Sequence, residues 1–182
     1  MSEVSDRYAV VADGFTARVV GITSDRWSTM SPCTQWTVGD LVGHVISTHR
    51  RVMANLEGTE FVEPDPGTDP VEVWQGARDD LAAALADDRR AGHMMGGMFG
   101  DQPLESLVGR LVCSDTLIHT WDLARATGQD ERLDGEAVAK AMAALAPLDE
   151  SIRRPGGFGP KIEPRPGADA QTVFLNFCGR PA

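Results

Sequence analysis

Few residues in this chain can do chemistry, and the most informative of them share one segment. Asp115 and His119 stand four apart, the spacing that aims two side chains of one helix at a common point. At about 100° per residue, Leu104, Val108, Leu111, His119 and Asp122 all fall within roughly 40° of Asp115. An apolar stripe thus carries two carboxylates and an imidazole in its C-terminal half. Burying such groups unpaired costs several kcal/mol, so they must be paired, hydrated or metal-bound. His44, between Leu41 and Val45, borders the inward side of an earlier helix and offers a third donor. Two imidazoles and one carboxylate leave positions open on a divalent ion such as Zn²⁺, as a catalytic centre requires. The alternative is a buried Asp115–His119 ion pair, with His44 a core histidine that finds a hydrogen bond.

The other reactive side chains carry less. His49 lies about 140° round the helix from His44, and its neighbours Arg50 and Arg51 place it on a solvated surface. His93 reads as a surface residue, or as part of a lid. Met94, Met95 and Met98 beside it either fill irregular gaps or cover an apolar substrate. Asp122 either orients His119 by a hydrogen bond or caps a neighbouring backbone. Trp121 reads as packing. Cys33, after Pro32 and before a helix, reads as a small buried residue or as a reactive thiol near a helix N-terminus. Glycine-rich nucleotide loops, HExxH and GxSxG are all absent from the sequence.

Five helical stretches must position these groups. In residues 2–23, Val4, Tyr8, Val11, Phe15, Val19 and Ile22 mark one face. The second helix starts after the cap Thr37, with Asp40 completing a capping-box variant, carries Leu41, Val45, Thr48 and Val52 inward, and ends at Gly58. The third begins at Asp69-Pro70-x-Glu72 and buries Val71, Trp74, Leu81 and Leu85, with Arg89-Arg90 at its end. Residues 91–103 are a glycine-rich loop or short hairpin. The fourth helix runs from Leu104 to Thr127 and the fifth from Asp134 to Ile152. An extended proline-rich tail with one apolar run, Val173 to Phe177, closes the chain. The expected class is all-α: four long antiparallel helices and a short extra one in a single domain, 1–182.

Composition narrows the partners. With 17 Lys and Arg against 27 Asp and Glu, the chain carries a net charge of −10. It repels phosphate backbones and anionic lipid, so neither nucleic acid nor a membrane surface is expected. The start, with Glu3 and Asp6, does not resemble a secretory signal, and no apolar run is long enough to span a bilayer. Three well-separated cysteines without CxxC suit reduced thiols in the cytoplasm.

Two stretches carry a family resemblance. Trp27-x4-Pro32-Cys33-Thr34-x-Trp36-Thr37-Val38-x-Asp40-Leu41-Val42-x-His44-Val45 resembles the approach to helix two in the DinB/YfiT-like superfamily, in particular the mycothiol-dependent maleylpyruvate isomerase N-terminal-domain group of actinobacteria. His119-Thr120-Trp121-Asp122-Leu123-Ala124-Arg125-Ala126-Thr127-Gly128 resembles that group's second signature, and the close through Phe177-x-Gly179-Arg180 is similar to its short members. The resemblance implies a four-helix bundle holding one divalent metal, with His44, Asp115 and His119 at the ligand positions. Zn²⁺ is the first expectation, Ni²⁺ or Fe²⁺ the alternatives. The isomerases have glutamate where Asp115 stands and add a C-terminal domain for which this chain has no room. The resemblance therefore implies a metal-dependent protein that uses a low-molecular-weight thiol, mycothiol or one like it, to transfer to or isomerise a small electrophile. A non-catalytic metal- or ligand-binding bundle is the alternative, and a homodimer is compatible with the superfamily.

Overall fold

The computed structural model describes residues 2–33, 35–65, 67–96, 100–153 and 157–182. Four long helical segments form the body: α1 (Glu3–Val20), α2 (Val38–Glu57), α3 (Pro70–Ala86) and a composite fourth. The composite runs from α5 (Leu104–Leu107) through a π-helical turn (Val108–Val112) into α6 (Cys113–Thr127). Packing is cyclic: α1 lies against α3 and α6, and α2 against the same two. This is the all-α bundle that the sequence pattern requires, and each helix turns its apolar stripe to the shared centre. Between α3 and α5 come one helical turn, α4 (Asp88–Ala91), and the small hairpin β1 (Met94–Met95) and β2 (Gln102–Pro103). Met98 lies outside the described residues.

Local signals set the helix ends. The Thr37 side chain accepts from the Asp40 amide while the Asp40 carboxylate accepts from the Thr37 amide, a reciprocal cap worth about 1 kcal/mol. Gly58 closes α2 in the left-handed region at φ 66°. Asp69 caps α3 through the Val71 amide. Arg89 and Arg90 do not belong to α3, as expected from the sequence, but to α4, because Asp87 caps a fresh turn there through both their amides.

Two further departures concern the site. The π-helical turn adds a residue to the fourth helix, so the face projected at constant pitch breaks: Leu111 is only half-buried and Val112 takes the inward place. Arg7 donates to the carbonyl of Gly109 and the Ser114 hydroxyl to that of Arg110, meeting backbone acceptors of this turn. The tail, expected to be extended, instead contains α9 (Ala170–Phe177), capped by Asp169 through the Thr172 amide. It joins α7 (Gly135–Leu145) and the short α8 (Asp149–Ile152) on the outer side of α6. Trp121, Phe174, Leu175 and Leu145 build a second apolar core there. Helix α6 is thus packed on both sides, and all its residues from Cys113 to Ala124 except Asp115 are buried.

Candidate metal centre

Helices α2 and α6 pack side by side, and this brings His44 to the Asp115–His119 pair. His44 Nε2 lies 3.3 Å and His119 Nε2 3.4 Å from the same oxygen, Asp115 Oδ1. The two imidazoles meet edge to face, with centroids 5.0 Å apart. All three donor atoms lie within 4.8 Å of one another. The second carboxylate oxygen, Asp115 Oδ2, is buried and has no hydrogen-bond partner among the described residues. The indole of Trp36 covers the group, 4.7 Å from His44 and 5.9 Å from His119 between ring centroids.

The connector before α2 is shaped to deliver that cover. The Ser31 amide donates to the Trp36 carbonyl, the Trp36 amide to the Cys33 carbonyl, and Gln35 turns the chain at φ 79°. A side chain in this left-handed region costs about 1–2 kcal/mol, a strain of the kind that gathers at functional sites. Cys33 is neither plainly buried nor free. Its half-exposed thiol donates to Asp122 Oδ2 at 3.1 Å and stands 3.8 Å from His119 Nδ1.

The far side of His119 is closed by Asp122, which is 0% exposed. His119 Nδ1–H donates to Asp122 Oδ2 at 3.0 Å, so of its two readings Asp122 takes the hydrogen bond to His119. Arg180, from the residues just beyond α9, forks onto both Asp122 oxygens, Nε to Oδ1 at 3.1 Å and Nη2 to Oδ2 at 2.7 Å. The same Nη2 lies 3.1 Å from the Cys33 sulfur. Sequence reasoning gave Arg180 no role. Its signal is indirect: a carboxylate on a packed helix face demands a cation, and cations near apolar runs are few.

Charge follows from these contacts. Burial opposes the charged forms throughout, and the partners overrule it. His119 is held protonated well above the ordinary imidazole range by Asp115, Asp122 and the Cys33 hydrogen bond. Asp115 is held below the usual carboxylate range by His119 and His44. Asp122 is lowered to about 2 by His119 and Arg180.

Among the described residues two donor sets share His119: His44, Asp115 and His119 on one side, Cys33, Asp122 and His119 on the other. They differ in fitness for a cation. Arg180 already neutralises the second, and Asp122 has donors on both oxygens. Among the described residues the first has no arginine or lysine paired to it and keeps an unmet carboxylate oxygen. Its separations of 3.3 and 3.4 Å are long for N–H···O bonds. Both fall within the edge of about 3.3–3.6 Å between ligands held tetrahedrally at ~2.0–2.2 Å, and the third pair, His44 and His119, lies within 4.8 Å. The residues present therefore fit a divalent ion bound by two nitrogens and one oxygen.

The remaining histidines divide. His93 is exposed, with Met94 exposed and Met95 buried beside it. His49 corrects the expectation of a solvated surface: it is 0% exposed. The two arginines beside it point outward while its own position turns in against α1 and α3. Its Nδ1–H donates to the Val45 carbonyl at 2.8 Å, and its ring meets Trp74 edge-on at 5.0 Å and Tyr8 at 5.8 Å. Burial lowers its pKa to about 4, leaving it neutral.

Residues 8–124 match the family described as mycothiol maleylpyruvate isomerase N-terminal domain. The chain belongs to this family. Two uncharacterised proteins of Mycobacterium tuberculosis, from strains CDC 1551 / Oshkosh and ATCC 25618 / H37Rv, are each 33% identical over 175 residues, covering 90% of this chain and 91% of the relative. No solved structure matches significantly. The matched span contains His44, Asp115, His119 and Asp122 but ends before α7, α9 and Arg180. No described helix is long and apolar enough to cross a membrane.

Proposed function

We propose that this chain is a divalent-metal-dependent enzyme that uses a low-molecular-weight thiol, mycothiol or one like it, in transfer to or isomerisation of a small electrophile. The convergence of His44, Asp115 and His119 beside an unpartnered carboxylate oxygen carries the reading. Family membership supports the thiol. Zn²⁺ is the first choice of metal, since two imidazoles, a carboxylate and an open position are the donor set of catalytic zinc; Ni²⁺ and Fe²⁺ are alternatives. When bound, such an ion supplies Lewis acidity and stabilises a thiolate at neutral pH.

The residues of the chain do the rest. His44 and His119 present Nε2 and Asp115 presents Oδ1 to one point. Asp122 holds the Nδ1 proton of His119, which leaves Nε2 as the donor atom. Trp36 covers one side of the two imidazoles. In this reading the protein works in the cytoplasm, where Cys33, Cys113 and Cys178, none of them in a disulfide, stay reduced.

One observation favours a second reading, a non-catalytic metal-binding bundle. Each acid and imidazole of the cluster is already engaged by another, so none is free as a separate general base. Protein purified without a polyhistidine tag and incubated with Zn²⁺, Ni²⁺ or Fe²⁺ should hold about one ion per chain by elemental analysis. Thiol-dependent consumption of an electrophile by the loaded protein supports the enzyme. Bound metal without turnover supports the second reading, and no bound metal sinks both.

A further inference from the structure

We propose that Arg180 is a positioning residue for the metal centre: the C-terminal segment, outside the part of the chain that matches the family, delivers a guanidinium that fixes Asp122 and thereby aims His119. The inference rests on the metal reading above.

The geometry is built from both ends. Asp122 is buried without water contact, and its Oδ2 serves three groups: His119 Nδ1–H, the Cys33 thiol and Arg180 Nη2. A carboxylate pivoting about its Cβ–Cγ bond could face any of them. The Arg180 fork engages Oδ1 and Oδ2 together, which fixes that rotation and leaves Oδ2 in line with the imidazole. Lysine, a point charge with no fork, cannot fix both oxygens.

The tail is in turn shaped to place the guanidinium. The Arg180 amide donates to the Leu175 carbonyl, Asn176 Nδ2 donates to the Arg180 carbonyl, and Arg180 Nη1 donates to the Cys178 carbonyl. Gly179 turns the chain at φ 80°, and a Cβ there would stand 3.0 Å from the Pro160 carbonyl oxygen. Arg153 holds the Phe177 carbonyl, tying the end of α9 to the segment after α8. A surface tail needs none of these fixtures, and the side chain they support is only 12% exposed.

The chain of contacts is therefore α9, Arg180, Asp122, His119 Nδ1–H, and His119 Nε2 at the metal point. A hydrogen-bond partner behind a ligand histidine typically affects metal affinity 10–100-fold. Arg180 acts one contact further back, so the effect expected of Arg180→Met is about ten-fold.

The test is a double-mutant cycle in the full, tag-free chain, with Arg180→Met, Asp122→Asn and their combination, and Arg180→Lys as the conservative variant. Two readouts are taken: Co²⁺ affinity with its visible spectrum, and water exchange of the His119 Nδ1–H proton by NMR in metal-free protein. Arg180→Met should weaken Co²⁺ binding about ten-fold, alter the spectrum, and speed that proton's exchange by a similar factor. Arg180→Lys should recover only part, and the double variant should be no worse than Asp122→Asn alone.

Folded Arg180→Met with wild-type exchange and wild-type Co²⁺ affinity overturns the proposal. So do fully additive effects, which would show that Arg180 does not act through Asp122. If wild-type protein binds no Co²⁺, the metal reading fails by itself, and the exchange rate alone then decides whether Arg180 positions His119. If Arg180→Met does not fold, the Asp122→Asn and Arg180→Lys exchange rates decide it, and wild-type exchange in both overturns it.

Discussion

Two buried histidines, His49 on α2 and His119 on α6, show what burial does and does not decide. Both are largely removed from solvent, at 0% and 6% exposure. His49 sits between Tyr8 and Trp74 with one carbonyl acceptor, and its pKa falls to about 4. His119 sits between Asp115 and Asp122, and its pKa rises well above the ordinary range. Desolvation pushes both the same way; the acidic partners reverse it for one. A neutral imidazole in an aromatic cage is a packing unit. An imidazole with anions at both nitrogens is a candidate site.

The largest expected effect tests that division on metal. His119→Ala and His44→Ala should bring bound Zn²⁺ to background in elemental analysis of tag-free protein, while His49→Leu should keep wild-type stoichiometry. Metal lost equally in all three would erase the contrast.

Next comes the cage. Trp74 is fully buried, lies 4.8 Å from Phe15 edge-on, and walls His49. Trp74→Ala should cost about 3–5 kcal/mol in urea unfolding, with no effect on metal stoichiometry in the protein that remains folded.

The pH dependence of stability separates the two rings by sign. The His49 pKa is about 4 folded and near 6.5 unfolded, so the unfolded chain binds its proton more readily. Its contribution is complete above pH ~6.5 and declines as pH falls toward 4, by roughly 3 kcal/mol in all. His119 in metal-free protein runs the other way: its stabilisation is complete below pH ~6.5 and is lost as pH rises through its raised value. Urea unfolding across pH should show His49→Leu flattening the acid limb only. A variant that flattens the alkaline limb instead would reverse the assignment.

The smallest effect belongs to His93, exposed beside the hairpin. His93→Ala should change stability by less than about 0.5 kcal/mol and leave metal binding untouched. A loss of thiol-dependent turnover in this variant would restore the lid reading.

Much of this was legible along the chain. The Thr37 cap, Asp69-Pro70, Gly58 and Gly128 mark helix ends because each acts within a few residues of itself. The Asp115–His119 spacing is likewise a single-helix property. His49 is not legible in this way: its neighbours' charges say nothing of its own environment, which α1 and α3 supply. A constant pitch places Leu111 inward, since an inserted π-helical residue leaves no signature in apolar spacing. The prolines that dominate the tail's composition suggest an extended chain, but Asp169 starts a helix after them.

The sequence by itself determined an acidic, all-helical chain whose fourth helix carries ionisable groups on a face that must be satisfied. Only the tertiary structure decided what satisfies them. It set His44 beside Asp115 across two helices 71 residues apart, and returned Arg180 to Asp122 across 58. Local hydrogen-bond chemistry fixes where a helix starts and which faces it has. Which charge meets which depends on how helices pack and where a tail lands, and contacts so distant in sequence leave no periodic trace in it.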